Sequence, residues 1–147
     1  MAAEAVRPLD RNDRAQWQEL RLALFDSDPP QSVIDEIDEL LADPLQAAFG
    51  ALACGRLSGF AEVSERPWGE GCETAPVAWI EAIYIRPEAR RTGVGRALIA
   101  AMADWARVRG LSELGSDVNP DNASSLAAHT AWGFSETMRL VMFRKPL

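Results

Sequence analysis

The chain is short of the residues that staple a fold or ligate a metal. Of its 147 residues only two are cysteine, one is histidine and one is tyrosine. Cys54 and Cys72 match no metal-ligand spacing and need not pair, so a reduced, cytoplasmic setting without a metal is the simplest expectation. Lysine is scarce too, since 14 of the 15 basic residues are arginine and only Lys145 is not; the bias reads as genome composition. No run approaches the roughly 20 apolar residues of a membrane span, and Met-Ala-Ala-Glu-Ala-Val-Arg-Pro at the start holds no hydrophobic signal core, so no membrane association is expected. A net charge of −7 argues against nucleic-acid binding. Neither Gly-x-x-x-x-Gly-Lys-Ser/Thr nor Gly-x-Gly-x-x-Gly occurs, which excludes a P-loop and a dinucleotide fingerprint. Repeats, low-complexity tracts and linkers are absent, so residues 1–147 read as one domain, long enough to bury its own core.

What is present is an uneven charge distribution. Between Asp26 and Asp43 lie seven acids and no base, whereas Arg86 to Arg109 holds six arginines against Glu88 and Asp104. The first stretch suits a cation and the second an anion, although acidic helix faces are commonly just solvated. Hydrophobic spacing predicts a strand over 4–9, and a helix capped by Asp10 that runs to about Phe25. It places a second helix at 31–42 and a hairpin of 47–54 and 57–64 around Gly55-Arg56. A strand over 77–86, a helix over 96–109 and a strand over 111–118 follow. Asn119 to Asn122 forms a turn that caps a helix to Trp132; Gly133 ends it, and one or two strands complete the chain over 134–144. This order describes a mixed α/β (α+β) fold with helices on both faces of the sheet.

Arg90-Arg91-Thr92-Gly93-Val94-Gly95 joins the central strand to its helix. Such a turn directs backbone N–H groups and the positive end of a helix at one point, where an anion fits. Glycine at 93 and 95 permits positive φ and close approach, and arginines at 91 and 96 suit a diphosphate. A tight turn before any helix can look similar. Within this element order, Arg90-x-x-Gly93-x-Gly95 resembles the pyrophosphate-binding motif of the GCN5-related N-acetyltransferases, and Asn122 followed by Gly133-Phe134 matches their later hallmark. The resemblance implies a mixed, mostly antiparallel sheet with splayed central strands and acetyl-CoA as co-substrate. It places Arg90, Arg91, Thr92, Gly93, Val94, Gly95, Arg96 and Asn122 on the nucleotide. The backbone of Ile83, Tyr84 and Ile85 would face pantetheine, with an N–H near Ile83 polarising the thioester. Ile83 and Ile85 can pack in the core at the same time.

Glu81 interrupts an otherwise apolar strand, and burying an unpaired carboxylate costs several kcal/mol, so it is either paired internally or facing a cleft. Asp117 ends the strand after the binding helix, where ligands gather, or serves as a turn residue. His129 takes the place, four residues before Gly133, where many family members carry a tyrosine acid; it is either catalytic or structural. Gly59-Phe-Ala-Glu-Val63, Gly71-Cys72, Glu81-x-Ile83-Tyr84-Ile85, Ser116-Asp117 and Gly133-Phe134-x-Glu136-Thr137-x-Arg139 are similar to the short bacterial aminoglycoside 6′-N-acetyltransferases. That subgroup implies antibiotic resistance, a homodimer, Glu81 and Asp117 as ligands of drug ammonium groups, and Phe25 and Trp68 as aromatic walls. Phe25 replaces a tryptophan of relatives and Met138 an acid of some, a loss that Glu136 would have to offset. Two other readings stand beside it: acetyl transfer to another polycationic or peptide amine, and a non-catalytic acyl-CoA-binding module.

Overall fold

The computed structural model describes residues 5–147; the expected strand start at residue 4 lies outside them. Asp10 closes a capping box with Asp13 around a single 3-10 turn, Arg11–Asp13, and this turn leads into α1 (Arg14–Leu24). The Asp-Ser-Asp-Pro-Pro break separates α1 from α2 (Pro30–Ala42), whose first-turn proline supplies a preset φ. Between β1 (Ala5–Pro8) and the helix α3 (Val94–Val108) come three strands, β2 (Gln46–Ala53), β3 (Arg56–Arg66) and β4 (Val77–Ile85). A two-residue β5 (Leu114–Gly115) and α4 (Ala123–Ala131) follow.

The sheet runs β1-β2-β3-β4-β5 in spatial order; the first three pairings are antiparallel and the last is parallel. β3 is buried from Leu57 to Ser64 because both sheet faces are covered. Trp17 and Leu20 of α1 and Ile37 and Leu40 of α2 pack with Ala48, Leu57, Phe60 and Ala82 on one face. Val94, Leu98, Ile99, Met102 and Ala106 of α3 pack with Ala51, Ala61, Val63, Ala78 and Ile80 on the other. The expected mixed, mostly antiparallel sheet with helices on both faces is therefore present.

Two expectations fail at the C-terminal side. The strand expected over 111–118 pairs only at Leu114 and Gly115, opposite Ala78 and Trp79. The strands expected over 134–144 are not formed, and residues 135–147 carry no regular structure and are exposed. A strand exists only against a partner edge, and so short a β5 offers almost none. Met138, Leu140, Val141, Met142 and Phe143 consequently stand in solvent, Phe143 being 92% exposed.

Candidate active site

β4 is a central strand that loses its neighbour halfway along. Beyond Trp79 it has no pairing with β5, so the backbone of its second half faces a gap. Burial follows: Val77 to Ile80 are buried, whereas Ile83, Tyr84 and Ile85 are only half-buried. This is the splay that the sequence resemblance implied, with those three residues on its edge. Pro87–Ala89 makes a 3-10 turn at the end of β4, and Gly93 (φ 91°) starts α3. The first helical bond of α3 runs from the Ala97 N–H to the Gly93 carbonyl at 3.0 Å, leaving the N–H groups of Val94, Gly95 and Arg96 ahead of it. Arg91 lies in the left-handed region (φ 61°), a conformation that costs a non-glycine residue roughly 1–2 kcal/mol and clusters at ligand sites. Thr92 ties the turn by donating to the Ala89 carbonyl at 2.5 Å.

The arginines of this turn divide their tasks. Arg90 donates from Nε to the Ile85 carbonyl at 2.9 Å and lies over the Tyr84 ring, bracing the strand end. Arg96 donates to the Ala131 carbonyl at 2.7 Å, tying α3 to α4. Arg91 is exposed. Gly95 has a different reason from the one expected. An added Cβ would meet the Trp132 ring at 2.5 Å, so this glycine admits Trp132, while of the two glycines only Gly93 has a positive φ. Asn122 caps α4, its side-chain oxygen accepting from the Ser125 N–H at 3.1 Å.

On the α1–α2 side of the sheet lies a cavity of about 520 Å³. Among the described residues its carboxylates are Glu36, Glu39, Asp43, Glu62, Glu65 and Glu81, and Arg21 is the sole base on its wall. Phe25 lines it as expected, with the Arg21 guanidinium over its ring. Glu36, Glu39 and Asp43 come from the acidic stretch, which therefore contributes a wall as well as a solvated face. Trp68 (62% exposed), Asp117 and Glu136 lie outside that wall, and Glu136 pairs with Arg139 on the surface. Beneath the cavity, Glu62 is buried and accepts from Trp17 Nε1 at 2.9 Å and from Arg21 Nη1 at 2.5 Å. Arg21 also reaches Glu36 and donates from Nε to the Val33 carbonyl at 2.9 Å.

Glu81 owes its position to a bulge. Glu62 pairs with Ala82 and Val63 with Ile80, so Glu81 is the unpaired extra residue of β4 and is turned outward. It accepts from Ser64 Oγ at 2.5 Å and, from Arg66, Nε at 2.8 Å and Nη2 at 2.7 Å. The Arg66 guanidinium lies over the Trp79 ring, and Trp79 Nε1 is 3.3 Å from Asp117 Oδ1. Glu81 and Asp117 are thereby linked through Trp79 and Arg66. His129 sits between the Trp132 and Phe134 rings, each centroid 5.2 Å away. Its Nδ1 is 2.8 Å from the Ser125 carbonyl, which can only accept; in the neutral ring Nε2 therefore accepts from Ser116 Oγ at 2.8 Å. Arg21, Ser64 and Arg66 were not singled out from the sequence, and Glu62 and Ser116 entered only as members of the Gly59–Val63 and Ser116-Asp117 motifs, without a role. For Ser64 and Arg66 the polar run Ser64-Glu65-Arg66 was the only signal, and it has meaning only once the bulge is known.

A glycine turn at a helix start beside a splayed strand suits an acyl-CoA donor, and residues 13–134 match the acetyltransferase (GNAT) family. The chain belongs to that family. It is 41% identical to an aminoglycoside N(6′)-acetyltransferase type 1 of Klebsiella aerogenes, over 97% of this chain and 96% of the relative. A protein of the same description from Stenotrophomonas maltophilia is 42% identical over 99% of this chain and 95% of its own length. Among solved structures, AAC(6′)-Iy in complex with the bisubstrate analog CoA-S-monomethyl-acetylneamine superposes with a TM-score of 0.93 at 34% identity, covering 97% of this chain and 98% of that one.

Proposed function

We propose that this protein transfers the acetyl group of acetyl-CoA to the 6′-amine of aminoglycosides, by direct attack in a ternary complex, and so confers resistance to them. The observation that carries this reading is the cavity, in which six carboxylates face one arginine beside a splayed β4. A polycationic aminosugar matches that wall, and a neutral peptide does not. Near full-length similarity to enzymes of that description supports it.

Acetyl transfer needs a deprotonated amine, donors for the tetrahedral oxyanion and a proton for the leaving thiolate. Backbone groups of Ile83 to Ile85 would align the thioester, and first-turn N–H groups of α3 with Arg91 would hold the pyrophosphate. Glu81 would bind the reacting ammonium and take its proton through water, with Asp117 as a second anion nearby. His129, once protonated, would pass a proton through Ser116 Oγ to the thiolate. His129 bonds Ser116 Oγ and the Ser125 carbonyl rather than a thiol, which supports direct attack over an acyl-enzyme. Reliance on acetyl-CoA supports a cytoplasmic site of action. The exposed Leu140-Val141-Met142-Phe143 segment supports a homodimer that covers it.

The test is thiol release from acetyl-CoA across 6′-amino aminoglycosides, polyamines and peptides. Release with aminoglycosides is expected; release only with polyamines would transfer the same chemistry to another amine. No release with any amine would leave an acyl-CoA-binding module.

A further inference from the structure

We propose that Arg66 is a built-in competitor of the acceptor: its guanidinium occupies the cation position between Glu81 and Asp117, and an acceptor ammonium must displace it. The inference rests on the acceptor site proposed above and deepens it. Both Glu81 oxygens are used within the protein, by Arg66 at 2.8 and 2.7 Å and by Ser64 at 2.5 Å. Arg66 rests on the Trp79 ring at 4.7 Å and feels the charges of Glu81, Asp117 and Glu70 together. Trp79 is fixed, since Gly69 and Gly115 both give way to its ring and Asp117 accepts from its Nε1.

The two guanidinium groups at this site differ in what leaving would involve. Arg21 is 3% exposed in its side chain and holds Glu62, itself 5% exposed, so its departure would strand a buried carboxylate. Arg66 and Glu81 are 38% and 31% exposed, so Arg66 can exchange Glu81 for water at far lower cost than Arg21 could leave Glu62. An amine with a single charge gains Glu81 only by giving up the Arg66 pair, an exchange near balance. A polycation makes the same exchange and also meets Glu36, Glu39 and Asp43. Arg66 thus penalises every acceptor alike, and only multiply charged ones recover the difference. It raises the threshold of affinity, which the wall of Glu36, Glu39 and Asp43 lets a polycation clear.

The experiment compares the wild type with Arg66→Gln and Arg66→Lys, using neamine and methyl 6-amino-6-deoxyglucoside as acceptors that share a reacting CH₂–NH₂. Removing the competitor should lower KM for both amines by a similar factor, about five- to tenfold, and so leave the neamine preference in kcat/KM unchanged. The KM for acetyl-CoA and the thermal midpoint should stay unchanged, with Arg66→Lys falling between. A raised KM for both amines, or an equal drop in kcat for both, would overturn the proposal and make Arg66 a group that orients Glu81. If the wild type acetylates neither amine, the function reading fails by itself. Calorimetric titration of both amines into wild type and Arg66→Gln then still decides: tighter monoamine binding by the variant supports displacement, and equal or absent binding overturns it.

Discussion

A carboxylate as buried as Glu62 ionises against its surroundings. Desolvation pushes its pKa above the usual glutamate range, although Arg21 and Trp17 pull the other way. In the window between the ordinary and the raised value the folded state holds the extra proton, so this group lowers stability as pH rises through that window. Its partner matters more than its proton. Arg21→Met would leave Glu62 buried and unpaired, and should cost about 3–5 kcal/mol in denaturant unfolding. Asp13 behaves oppositely. The Arg7 guanidinium at 2.8 Å holds its pKa below the usual aspartate range. That contribution is present above the unfolded value and is lost as pH falls through the folded one, below about pH 4. Asp13→Asn should therefore flatten the acid limb of the melting-temperature profile while leaving the neutral value slightly lower. An acid limb as steep as the wild type's would disprove the assignment.

Two glycines of one turn separate two physical causes at the level of the element. Gly93 sits at φ 91° with nothing within 4 Å of an added Cβ, so Gly93→Ala imposes backbone strain alone. Gly95→Ala would drive a methyl group into the Trp132 ring and push α3 away from α4, an overpacking cost of about 1–3 kcal/mol. Gly95→Ala should raise KM for acetyl-CoA, and adding Trp132→Ala should recover part of the lost stability in a double-mutant cycle. Gly93→Ala should show no such rescue. The same turn marks how far the sequence could be read. Periodicity in α1 to α3, the Asp10 and Asn122 caps and the glycine turn are local signals, and each lies within a residue or two of its expected place. Glu81 was legible as an acid in an apolar strand, but the bulge that turns it outward depends on pairing between β3 and β4, which spacing along one strand does not reveal. Arg66 stayed hidden for the same reason, and Glu62 was visible only as a member of a motif, because its pairing with Arg21 is a contact between β3 and α1. The strands expected over 134–144 have the right composition, yet composition supplies no partner edge.

At the scale of the whole molecule, two features reach past any one element. The first is the uncovered apolar segment near the C-terminus. If a second copy covers it, Phe143→Asp should shift sedimentation from dimer to monomer, whereas a wild type that already sediments as a monomer would remove the dimer from the reading. The second is charge. The net charge is −7, and six carboxylates face the cavity against Arg21 on its wall and Arg66 and Arg109, which pair with Glu81 and Glu65. The excess negative field should draw a polycation from a distance, and salt screens such a field over about 10 Å at 0.1 M and about 3 Å at 1 M. Raising the salt across that range should increase KM for neamine at least severalfold. It should change KM for methyl 6-amino-6-deoxyglucoside much less, because one charge samples little of the wall. The value of kcat should hardly move, since the reacting groups remain in contact once bound. Removing wall charge with Glu39→Gln should lower the salt slope for neamine while sparing that for acetyl-CoA, whose phosphates meet the arginine turn instead. Equal salt slopes for the two amines would mean that the acidic wall plays no part in choosing the acceptor.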